Sequence, residues 1–136
     1  MHTFIGVYSQ NELSAIKFAK VPFSLIVNLD YNQESGSHWL VIHICKDTIE
    51  IFDSLGLNFM YFKHYPQLII NFIFKFSFNR HVLCSPVLQP PTSRLCGLYS
   101  VYFILARQTK SFEKCLKPFG SNLYENDKKL IQYFNK

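Results

Sequence analysis

His38-Trp39-Leu40-Val41-Ile42-His43-Ile44-Cys45-Lys46-Asp47-Thr48-Ile49-Glu50-Ile51-Phe52-Asp53 is the stretch whose reading decides the fold. His38 to Cys45 is apolar and rich in β-branched residues, which reads as a strand. Thr48 to Phe52 reads as its antiparallel partner, with Lys46-Asp47 as the tight polar connection. Such a hairpin folds Asp53 back alongside His38. A short-range pattern therefore brings an imidazole and a carboxylate together.

Upstream, Phe23 to Leu29 reads as a buried strand, closed by the turn-rich Asp30 to Ser37. Before it, Glu12 to Lys20 is a weak helical patch that Pro22 ends, and Phe4-Ile5-Gly6-Val7-Tyr8 reads as an irregular start. Downstream, Gly56 breaks the chain. Leu57 to Phe78 is helical by length, yet Leu68, Ile70, Phe72, Phe74, Phe76 and Phe78 alternate like a strand. The expectation is a helix around Tyr61 to Phe72, then extended chain. Val82 to Leu88 reads as a short strand and Pro90-Pro91-Thr92-Ser93 as a stiff loop, because two prolines fix φ and bar helix. Cys96 to Gln108 is the strongest helical pattern. A final amphipathic helix over Leu123 to Phe134 sets Leu123, Leu130, Ile131 and Phe134 roughly on one face. Together these predict an α+β fold: one domain over residues 1–136, with a mixed, mainly antiparallel central sheet flanked by helices.

The 136-residue chain holds 14 Phe and 8 Tyr with only 17% charged residues, so it can offset its ordering entropy by burial and is not of disordered type. Met1-His2-Thr3 lacks the basic start of a signal peptide. Leu68 to Phe78, interrupted by Asn71 and Lys75, is too short to span a bilayer. A soluble, intracellular, monomeric protein without membrane contact is expected. Cys45, Cys84, Cys96 and Cys115 show no CxxC spacing, so no metal is expected, and reduced thiols suit such a compartment. Cys45 and Cys115 read as structural, and His43, His64 and His81 have no ligand spacing.

Charge is distributed unevenly. Residues 1–93 carry six basic and six acidic residues, whereas residues 94–136 carry eight and three, so the whole net charge of +5 lies in the last third. Arg107, Lys110, Lys114 and Lys117 would align if the cysteine helix continued past Thr109, and could then track the phosphates of DNA. A solvated basic face fits the same residues.

Cys96 opens its helix, and a helix N-terminus lowers a thiol pKa, as does a neighbouring imidazolium. Gly97 lets a substrate backbone approach closely. His38 is the partner base, Asp53 its orienter, and Gln89, seven residues before Cys96, can present its amide to an oxyanion beside the Cys96 backbone N–H. Taken singly, each residue has a plainer reading: a buried thiol, a packing histidine, a turn aspartate, a solvated glutamine. The ordered set points to nucleophilic catalysis by cysteine.

The chain resembles the adenovirus protease (adenain-like) family of cysteine endopeptidases, related to the SUMO-specific proteases. The resemblance rests on Phe4-Ile5-Gly6, Gly36-Ser37-His38-Trp39, Phe52-Asp53, Gln89 and Cys96-Gly97-Leu98-Tyr99, and covers roughly residues 4–107. The interval from Gln89 to Cys96 is of the adenovirus type. The resemblance implies a papain-like fold, Cys96 as nucleophile, His38 as base and acid, Asp53 as orienter where adenovirus enzymes often have Glu, and Gln89 in the oxyanion hole. It implies viral precursor proteins as substrates, cut at glycine-containing sites during virion maturation, in the host nucleus or cytoplasm and the virion. No cofactor is needed for the chemistry; DNA and a disulfide-linked viral peptide can activate such enzymes. Cys84 stands at a different distance from Gln89 than the family's peptide-linking cysteine, and the chain is short after the cysteine helix. Two rival expectations are a protease acting on ubiquitin-like C-termini and a catalytically silent DNA- or protein-binding module of the same fold.

Overall fold

A computed structural model describes residues 2–17, 19–29, 38–56 and 65–135. Its five strands are β1 (Thr3–Ser9), β2 (Phe23–Asn28), β3 (Trp39–Ile44), β4 (Thr48–Phe52) and β5 (His81–Cys84), and they lie side by side in chain order. The helices are α1 (Gln67–Ser77), α2 (Cys96–Ala106), α3 (Phe112–Leu116) and α4 (Leu123–Phe134).

The hairpin forms as the sequence predicts: β3 and β4 pair antiparallel with Val41 opposite Phe52 and Ile44 opposite Ile49. β2 joins β3 antiparallel, and parallel strands complete the mixed α+β sheet at either edge, β1 against β2 and β5 against β4. Side chains alternate between the two faces of a strand. Leu25, Val27, Leu40, Ile42, Ile49 and Ile51 share a core with Ile69, Ile70, Phe72 and Ile73 of α1. Ile26, Val41 and Phe52 point the other way, into a second core with Tyr99, Tyr102 and Phe103 of α2 and with Leu130 of α4. With both faces covered, central strands can be apolar throughout, and every residue of β2 is buried.

Four sequence expectations change. Residues 3–9 are not irregular but form the edge strand β1, with a register shift between Phe4 and Val7 and Gly6 at φ +139°. The patch expected over Glu12 to Lys20 is instead a 3-10 helix at Gln10–Ala15, where Glu12 accepts hydrogen bonds from the Ser9 backbone N–H and hydroxyl. The helix expected around Tyr61 to Phe72 runs over Gln67–Ser77, so Phe72, Phe74 and Phe76 are helical, not extended, and only Phe78 lies beyond the helix; residues 61–64 lie outside the described residues. The strand expected over Val82 to Leu88 is His81–Cys84 only, because the chain leaves the sheet at Ser85. α4 spans the residues expected, but its buried residues are Asn126 and Leu130, while Ile131 stays exposed. Asn126 ties the helix down through its Nδ2, which donates to the carbonyls of Leu88 (2.9 Å) and Gly120 (2.8 Å).

Among the described residues no helix is long and apolar enough to cross a membrane.

Candidate active site

Three elements converge on the first turn of α2. His38 immediately precedes β3, Asp53 follows β4, and hairpin pairing puts them side by side: His38 Nε2 lies 2.6 Å from Asp53 Oδ1. Both are buried, at 5% and 1% exposure, so water competes little for the bond. Asp53 is itself held on several sides. Its Oδ1 also accepts from the Leu55 N–H at 3.0 Å, and its Oδ2 accepts from the Tyr65 hydroxyl at 2.8 Å. The Ser85 hydroxyl sits 2.8 Å from both the N–H and the carbonyl oxygen of Asp53, sewing the end of β4 to the chain leaving β5.

Cys96 is the first residue of α2, and no side chain caps that helix start. Burial works to raise the thiol pKa. It is outweighed by the hydrogen bond with His38, by the backbone of Trp39 and Gly97 and by the charge on His38, and the net shift is downward. For His38, burial opposes the imidazolium, but the hydrogen bonds with Asp53 and Cys96 and the charges on both raise it to about 9. With Nε2 engaged by Asp53, Nδ1 is the nitrogen left to serve the thiol. The arrangement stabilises the thiolate and the imidazolium against their neutral forms.

A cleft of about 490 Å³ opens over these groups, lined by His38, Trp39, Leu55, Gln89, Cys96 and Gly97 among others. A Cβ at Gly97 would meet the Trp39 ring at 3.9 Å, an ordinary contact distance, and both residues line the cleft. Gln89 is 1% exposed and its amide orientation is settled by both ends: Oε1 accepts from the Ser54 hydroxyl, and Nε2 donates to the Ser93 carbonyl at 3.0 Å. A primary amide has two N–H donors. The second has no partner among the described residues, and Gln89 lines the cleft.

The four residues selected from sequence, Cys96, His38, Asp53 and Gln89, are thus brought together. Sequence reasoning passed over Ser54, Tyr65 and Ser85. Ser54 stood beside Asp53 in view, but its partner Gln89 is 35 residues away, and no local pattern marks that contact. Trp39 is half-buried and lines the cleft.

The basic row expected from Arg107, Lys110, Lys114 and Lys117 does not form. α2 ends at Ala106, and α3 begins only at Phe112. Arg107 turns inward, its Nε and Nη2 each 2.9 Å from an oxygen of Glu50. Lys110, Lys114 and Lys117 are exposed. One further grouping escaped the sequence spacing: ligand atoms of His43, Cys45 and Glu50 lie within 4.8 Å of one another. The Arg107 guanidinium already fills it, donating to Glu50 and approaching Cys45 Sγ at 3.7 Å. A cation bound there would have to displace it.

No protein-family model matches the sequence, and no curated protein matches it. Among solved structures the chain is similar to the ASFV pS273R protease, at 22% identity and a TM-score of 0.47, over 69% of this chain and 37% of that one. The chain therefore spans little more than a third of the length of that protein. A likeness of this degree fixes neither substrate nor residue roles.

Proposed function

We propose that the protein is a cysteine endopeptidase in which Cys96 is the nucleophile. The observation that carries the reading is the shared ring: His38 is bonded to Asp53 at 2.6 Å, while interaction with the same ring lowers the pKa of Cys96 at an open helix start. Other parts of the cleft support it, in particular the amide of Gln89 held with one donor to spare.

The Cys96 thiolate attacks the scissile carbonyl carbon, and the carbonyl π electrons move to oxygen. The Gln89 amide and the Cys96 backbone N–H stabilise that oxyanion, each such donor being worth roughly 2.7–4 kcal/mol. As the tetrahedral species collapses, His38 gives its proton to the departing amine, leaving a thioester on Cys96. His38, now neutral, accepts a proton from water, which attacks the thioester and releases the acid and the thiolate. Asp53 keeps the ring oriented throughout. Glycine beside the scissile bond is proposed on the adenain-like resemblance, and it would let the substrate backbone approach closely at Gly97. Viral precursor proteins are the substrates proposed, on the adenain-like residues set out above, with the finer family assignment part of the same proposal.

The test is incubation of the native protein, Cys96→Ala and His38→Ala with glycine-rich peptides, followed by mass spectrometry. Cleavage by the native protein alone is expected. Equal turnover by either alanine variant would refute the assignment.

A further inference from the structure

Among the described residues that line the cleft, Arg94 is the one permanent charge and none carries a carboxylate. The Cys96–His38 pair carries one charge of each sign when ionised, so among the described lining residues Arg94 supplies the net charge.

The other two arginines of the chain are consumed internally. Arg80 donates to the carbonyls of Cys45 and Phe76, and Arg107 to Glu50 and the Lys110 carbonyl. The Arg94 side chain is exposed and makes neither hydrogen bond nor ion pair with the described residues, yet the backbone that carries it is fixed. Ser93 N–H donates to the Pro90 carbonyl at 3.0 Å, Gln89 Nε2 to the Ser93 carbonyl at 3.0 Å, and Leu95 N–H to Ser93 Oγ at 3.2 Å. The two prolines stiffen the same loop. A cation presented from a locked loop, two residues before the nucleophile and without a partner among the described residues, is available to a ligand. Its planar fork matches a carboxylate in bidentate fashion.

We infer that Arg94 is a specificity residue that receives a substrate carboxylate within a few residues of the scissile bond. This deepens the proposed reading and rests on Cys96 being the reacting group. Two sources share that chemistry: an Asp or Glu side chain inside a longer polypeptide, and the free C-terminal carboxylate of a short leaving segment.

Two experiments test the inference. The first needs no peptide substrate: Cys96 is alkylated with iodoacetate and with iodoacetamide, its sulfur displacing iodide from carbon in each case. Rates are read at Cys96 by mass spectrometry, with Cys45 and Cys84 as internal references. The ratio of the anionic to the neutral reagent should fall about two- to fivefold in Arg94→Ala and Arg94→Gln, the range of an exposed ion pair, and further in Arg94→Glu. An unchanged ratio in all three variants overturns the inference, whether or not the protein cleaves anything.

The second experiment walks an Asp-for-Asn replacement along a glycine-rich peptide, with free and amidated C-termini. One acidic position should lower KM several-fold with kcat little changed in the native protein but not in Arg94→Gln. An advantage confined to the free C-terminus identifies the terminal carboxylate as the ligand. An acidic preference that survives Arg94→Gln, or no acidic preference at any position, overturns the inference while leaving the endopeptidase reading intact.

Discussion

The Ser54 carbonyl accepts the Gln89 backbone N–H at 2.9 Å while the Ser54 hydroxyl donates to the Gln89 side-chain Oε1, so one residue holds both the backbone and the amide of the other. The Leu88 N–H donates to the same carbonyl at 2.8 Å, the second bond it accepts. Because Ser54 follows Asp53 directly, a single dipeptide at the end of β4 positions both the imidazole and the amide. Ser54→Ala should therefore lower kcat for peptide cleavage roughly tenfold with KM little changed. That is less than the roughly 10²–10³ expected for removing a donor outright in Gln89→Ala. Ser54→Thr, which keeps the hydroxyl, should recover part of the loss. A KM effect without a kcat effect would contradict this role.

The thiol of Cys96 is held below its ordinary value and His38 is raised to about 9, which defines a pH window. Alkylation of Cys96 should set in below the pH at which an ordinary thiol ionises. Cleavage, measured as kcat/KM, should fall above about pH 9 as His38 loses its proton, the two limbs belonging to the pair as a whole. Stability follows the same sign. The folded pKa of His38 lies above its unfolded value of 6.5, so its contribution is full below about pH 6.5 and is lost as pH rises through about 9. Denaturant titrations at several pH values check the second point. Asp53→Asn should lower kcat and the pKa of His38, because a neutral amide can still accept from the ring but no longer stabilises the imidazolium, and an unchanged kcat and pH profile would count against its role.

Glu50 is 3% exposed in its side chain, and Arg107 is its bidentate partner at 2.9 Å. Arg107→Met strands that carboxylate and should cost about 3–5 kcal/mol by denaturant unfolding, whereas Glu50→Gln with Arg107→Met should cost much less. If the protein binds DNA, the salt dependence of that binding should follow Lys110, Lys114 and Lys117, not Arg107. A loss of salt slope confined to the arginine variant would show the opposite.

Gly56 lies at φ +69°, and a Cβ added there would meet the Val87 backbone nitrogen at 2.6 Å. The conformation alone costs a non-glycine residue about 1–3 kcal/mol, and a backbone neighbour cannot swing aside as a side-chain end can. Gly56→Ala should lower Tm by several degrees and also reduce cleavage, because Val87 is two residues from Gln89. Thermal melts and peptide kinetics on the same preparation check both.

The hairpin, α2 and α4 were legible because each is a local pattern: apolar strands across a two-residue polar connection, an apolar run opened by Cys96-Gly97, a capped amphipathic repeat. The four residues chosen for chemistry were legible for a related reason, since each sits at an end of one of those elements. α1 was misplaced because its stretch is so apolar that periods of two and of 3.6 both fit. Only the face it covers shows which positions are buried, namely Ile69, Ile70, Phe72 and Ile73. β1 lacked alternation because edge strands bury little, and its partner β2 is set by parallel pairing that no turn announces.

By itself, then, the amino-acid order determined the elements near the cleft and the ends from which His38, Asp53, Gln89 and Cys96 project, because propensity and periodicity act over a few residues. Which side chains hold those four was decided by tertiary structure alone. Ser54 reaches Gln89 and Glu50 reaches Arg107 only after sheet register and helix packing have been set. A hydrogen bond between residues 35 or 57 positions apart depends on those long-range choices and leaves no periodic trace in the chain.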